Sequence, residues 1–105
     1  MAWLILIVAG LLEIIWAIAL KNSDGFRKIW PSVVGISFSA LSFVLLTAAL
    51  KSLPVGTAYA VWVGIGAVGV AVTGIVLLGE DVSLSRLGFL AMIVIGVIGL
   101  RLVEN

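Results

Sequence analysis

The segment AWLILIVAGLLEIIWAIAL, residues 2–20, is nineteen positions long and carries a single charge, Glu13. A bilayer core of about 30 Å needs roughly 20 apolar residues of helix, so this stretch reads as a membrane span. Three comparable stretches follow at 31–50, 57–78 and 86–103. Turn chemistry separates them. Lys21-Asn22-Ser23-Asp24-Gly25 closes the first helix, and Pro31 suits the first turn of the second. Lys51 to Gly56 divides the second from the third, with Thr57 as the expected N-cap. Gly79-Glu80-Asp81 ends the third, and Ser83 or Ser85 is available to cap the fourth. The apolar runs are continuous, whereas barrel strands would alternate. The expectation is an all-α membrane protein, a single four-helix transmembrane domain over residues 1–105.

Composition agrees. Hydrophobic residues make up 64% of the chain, glycine supplies another 12 positions, and the mean hydropathy is +1.40. A soluble domain has roughly 45–50% apolar residues, glycine included, and one this small could not hide the excess. Charged residues are 10% and the net charge is +1, so nothing points to a nucleic-acid surface. Cys and His are absent from the sequence, which removes disulfides, thiolate chemistry, the usual zinc sites and imidazole catalysis. One acidic residue without these partners is no catalytic constellation, so an enzyme is not expected, nor is a cofactor or metal. Ala17-Ile18-Ala19 resembles a signal-peptide cleavage site. No basic residue precedes the run, however, and Glu13 interrupts it, so the first span is expected to be retained.

Orientation is weakly encoded. With four spans, Lys51 and Arg101 lie on one side of the membrane, and Lys21, Arg27, Lys28 and Arg86 on the other. So small a Lys/Arg bias leans towards termini outside yet permits insertion both ways.

Glu13 is the misfit. A charge near the middle of a span costs about 2.5–3.5 kcal/mol on insertion scales. As structural glue it would be a protonated acid bonded to a neighbouring helix. As a functional group it would line an aqueous or substrate-filled cavity, the usual meaning of an intramembrane acid. Its helical neighbours are Ala9, Gly10, Trp16 and Ala17. Small residues leave room beside the carboxylate, and Trp16 offers an aromatic face to a cation. In the third span Tyr59, Trp62 and Gly66 share a face. Tyr59 also fits an interfacial aromatic belt, and the deeper Trp62 needs an acceptor for its indole N–H, for which Glu13 would serve. Ser37, Ser39, Ser42 and Thr47 of the second span are expected to bond back to their own helix. Gly64 and Gly66 form a candidate hinge or a close-packing site. Gly88, Ala91, Gly96 and Gly99 fall within one arc of the fourth span, a candidate helix–helix contact. Arg101, near the end of that span, is expected to snorkel to the headgroups.

Glu13 in the first of four short helices, Trp30-Pro31-Ser32, and the run Leu53-Pro54-Val55-Gly56-Thr57-Ala58-Tyr59-Ala60-Val61-Trp62 together resemble the small multidrug resistance transporter family, over essentially the whole chain. Glu13-Ile14-Ile15-Trp16-Ala17 and Gly64-Ile65-Gly66-Ala67-Val68-Gly69 are similar to its guanidinium-exporting branch. The resemblance implies an antiparallel homodimer in a bacterial inner membrane, its two copies inserted oppositely and two Glu13 carboxylates sharing one site. It implies proton-coupled export of guanidinium or a related small organic cation. It also gathers Gly10, Trp16, Ser42, Tyr59 and Trp62 around Glu13. Two positions depart from the branch: Val63 stands where Thr is usual, removing a hydroxyl, and Arg101 stands where Lys is common. Carboxylates that share a site resist simultaneous ionisation. A planar guanidinium presents paired N–H donors that match a carboxylate, so proton and cation compete for the same oxygens. Exchange of conformations between two opposed copies would then swap the open side, as inverted repeats do. Two rival expectations are an exporter of quaternary ammonium and lipophilic cations, against which Trp16 argues and for which Val63 argues slightly, and a non-transporting membrane assembly subunit, which would make Glu13 dispensable.

Overall fold

The computed structural model describes residues 1–104, Glu104 by its place in the helix alone, and consists of four helices: α1 Ala2–Asn22, α2 Ile29–Ala49, α3 Val55–Leu77 and α4 Leu84–Glu104. Each is long and apolar enough to cross a bilayer. No strand is present among the described residues.

The helix ends follow local chemistry. Ser23 closes α1, its N–H and hydroxyl both donating to Leu20 O, at 3.2 and 2.6 Å. Pro31 lies in the first turn of α2, where a missing N–H costs nothing. The third helix begins earlier than the sequence suggests. Pro54 occupies the N-cap and Thr57 lies inside the first turn, buried, so Thr57 is not the cap. Proline fixes φ at −59° there, which starts the helix without a side-chain cap. At the other end of α3 the N–H groups of Leu78 and Glu80 both donate to Gly74 O at 3.1 Å, and Gly79 takes φ +68° to make that reversal. The Ser83 hydroxyl accepts the Arg86 N–H at 3.0 Å and caps α4.

Helix α1 is central, packed by α2 on one side and α3 on the other, while α4 packs against α3. Small residues permit the close passages. A Cβ at Gly10 would come within 2.8 Å of Ile65, and one at Gly35 would run into Leu20. The core where α1, α2 and α3 meet contains Leu6, Ala9, Leu46, Ala49, Ala58, Val61 and Trp62. The hydrophobic span of α4 has no buried residue. Gly88, Gly96 and Gly99 have open space beside them and Ala91 is exposed, so the arc marked as a contact surface is uncovered in a single copy.

Candidate functional site

Helix α1 carries Glu13 to the seam with α3, where it is 9% exposed. Its carboxylate lies directly against Gly66, in the volume a side chain there would fill. Among the described residues no hydrogen bond or ion pair reaches that carboxylate. An acid held in an apolar seam without a protein partner is costly unless a proton or a cation meets it.

Around it the structure builds a chain of bonds across three helices. The Ser42 hydroxyl on α2 donates to Ala9 O on α1 at 2.7 Å and accepts the Trp62 Nε1–H from α3 at 3.0 Å. Ser42 is fully buried, so the three atoms form a dry link. This corrects two expectations. Trp62 bonds Ser42 and not Glu13. Ser42 bonds across to another helix, whereas Ser39 and Thr47 do bond back to their own helix, at 2.9 Å each. Trp16, on the Glu13 helix, buries its indole N–H without a partner. Trp16 follows Glu13 by three residues, one turn along α1.

Tyr59 is 56% exposed and reaches the site through Trp62, their ring centres 5.6 Å apart. The Phe43 ring also packs against Trp62, their centres 5.3 Å apart. Sequence reasoning passed over Phe43, since no pattern separates it from the lipid-facing apolar residues of α2. Gly10 is packed against Ile65 and serves the approach of α1 to α3, leaving no open space beside it. Helix α3 runs unbroken through Gly64 and Gly66, whose spaces are filled by Val97 and by Glu13. Val63 is 39% exposed. Arg101 holds its guanidinium 4.9 Å from the Trp3 ring centre, a cation–π contact between α4 and α1.

An apolar cavity of about 270 Å³ lies between α1, α3 and α4, lined by Leu11, Ile14, Gly69, Val94 and Val97 among others. It has almost no polar lining and does not include Glu13, so it offers nothing to a small hydrophilic cation. The two aromatics against Trp62, Tyr59 and Phe43, are both exposed.

Comparison with known proteins finds relatives over nearly the whole chain. The family described as Small Multidrug Resistance protein matches residues 1–93. A guanidinium exporter of Escherichia coli (strain K12) is 59% identical over 102 residues, covering 97% of each chain. One of Yersinia pestis is 60% identical over 102 residues, 97% of this chain and 98% of its own. One of Salmonella typhimurium (strain LT2) is 56% identical over 102 residues, again 97% of each.

Proposed function

Because this chain belongs to the small multidrug resistance family, as a multi-pass protein of the inner membrane, we propose that it exports guanidinium in exchange for protons. The observation that carries the proposal is Glu13: buried, laid against Gly66 and without a protein partner. Relatives that are 56 to 60% identical over nearly the whole chain are guanidinium exporters, which supports the substrate.

Glu13 is the group for which proton and guanidinium compete. A protonated carboxyl is neutral in the seam, and deprotonation leaves a charge that a guanidinium satisfies with two charge-assisted bonds. Trp16, one turn along α1 from Glu13, lends an aromatic face to the cation. Ser42 and Trp62 fix α2 and α3 to α1 one turn away, so the acid is presented by a braced frame. Tyr59 is exposed where it packs on Trp62. A second copy in the opposite orientation covers Tyr59, brings its own Glu13, and uses the open arc of Gly88, Ala91, Gly96 and Gly99 for packing. Proton and substrate cannot both hold the same oxygens, so each turn of the opposed pair carries one or the other. Any bending at Gly64 and Gly66 must repack Val97 and Glu13, which ties helix movement to the occupancy of the acid.

The test is transport by the purified protein in liposomes under an imposed pH gradient, with guanidinium compared against a quaternary ammonium ion. Gradient-driven guanidinium movement, with the quaternary ion much slower, is the expected result. A faster quaternary ion would replace the substrate class, and movement indifferent to the gradient would remove the coupling.

A further inference from the structure

The loop between α1 and α2 is organised around one buried residue. Ser23 is 1% exposed, and its hydroxyl accepts the Phe26 N–H at 3.1 Å while its carbonyl accepts the Lys28 N–H at 3.0 Å. These bonds hold Asp24, Gly25 and Phe26 at φ values of 52°, 67° and 70°. Left-handed backbone is unfavourable for an aromatic residue and persists only where the surroundings impose it. Phe26 is left 61% exposed, and the nearby Ile29 and the aromatic Trp30 are 73% and 77% exposed. Beside these aromatics stand the exposed bases Lys21, Arg27 and Lys28. None of the three is ion-paired among the described residues, and Asp24 is the only acid in the segment. Arg86, in the other loop at this end of the molecule, is by contrast paired with Glu80 at 2.8 Å.

We propose that this loop binds the headgroup of an anionic phospholipid, with Lys21, Arg27 and Lys28 supplying the charge. The segment joins the ends of two membrane helices, so it sits at headgroup depth, where aromatic side chains anchor. Below it, Ile29, Val33 and Ile36 recur at i, i+4 and i+7 on α2 and are 73%, 47% and 56% exposed. That ridge gives an acyl chain a track directly beneath its headgroup, which a free phosphate would not use. The inference rests on insertion in a bilayer and not on the guanidinium reading. Lipid retention and transport therefore fail independently.

The experiment is mass spectrometry of the intact protein released from an equimolar mixture of phosphatidylglycerol and phosphatidylcholine. Preferential retention of phosphatidylglycerol is expected. A basic residue near an anionic surface contributes about fivefold, so Arg27→Gln with Lys28→Gln should cut the preference by roughly 25-fold, and each single change by about fivefold. Lys51→Gln, at the opposite end, should leave it unchanged. Circular dichroism checks that the variants stay helical, and the single variants decide the matter if the double one does not. Equal retention of the two lipids, an undiminished preference in helical variants, or displacement of the lipid by millimolar glycerol phosphate would each overturn the proposal, the last by making the loop a soluble-anion site.

Discussion

The Glu13 carboxylate occupies the volume that a side chain at position 66 would need, so the bare backbone of Gly66 is what allows α3 to pass over the acid. The two residues are one feature. Gly66→Ala should displace the carboxylate and lower guanidinium exchange by about tenfold or more, since small misplacements at a reacting group are costly. Gly69→Ala is the control, because its Cβ would meet only the flexible end of Ile14. Equal exchange rates for the two variants in liposomes would separate Gly66 from the acid.

Ser42 braces three helices through one oxygen. Ser42→Ala leaves the Trp62 N–H buried without an acceptor, a loss of about 1–3 kcal/mol. Thermal unfolding in detergent should show it, and Ser42→Thr, which keeps the hydroxyl, should recover much of it. An unchanged melting temperature in Ser42→Ala would mean that the indole finds another acceptor.

One misplaced charge singles out Glu13 as a candidate, and the membrane architecture could be read directly from the chain, because length and hydropathy decide it. The bond from Trp62 to Ser42 could not. It depends on how α2 and α3 are rotated relative to each other, and helices that are apolar on every face carry no pattern that sets that rotation. The same uniformity hid Phe43 beside Trp62. The start of α3 was misread for a local reason, as the rigid φ of Pro54 begins a helix that Thr57 was expected to cap.

Trp16 should act through its aromatic face. Trp16→Phe keeps an aromatic face and removes only an N–H that guanidinium, itself all donors, cannot accept, so guanidinium binding should change little. Trp16→Gly removes both and should let bulkier cations compete. Competition binding with guanidinium and a larger substituted guanidinium distinguishes these outcomes. Wild-type affinity in both variants would place Trp16 outside the site.

Both orientations should be present in the membrane. The chain has no cysteine, so Ser52→Cys in the exposed turn after α2 provides a clean label. Impermeant maleimide applied to each side of the membrane in turn should find two populations of similar size. Labelling from one side only would contradict the opposed pair.

The central claim is that proton and guanidinium compete for the Glu13 oxygens. Protonation removes the charge the cation needs, so apparent guanidinium affinity should be greatest at high pH and fall as pH falls. Glu13→Gln can neither carry the proton nor neutralise the cation, while Glu13→Asp keeps a carboxylate at altered reach. The decisive measurement is guanidinium binding and exchange across pH in liposomes for the wild type and these two variants. The account predicts pH-dependent affinity in the wild type, a shifted dependence with reduced transport in Glu13→Asp, and no coupled exchange in Glu13→Gln. Coupled exchange at the wild-type rate in Glu13→Gln would contradict it.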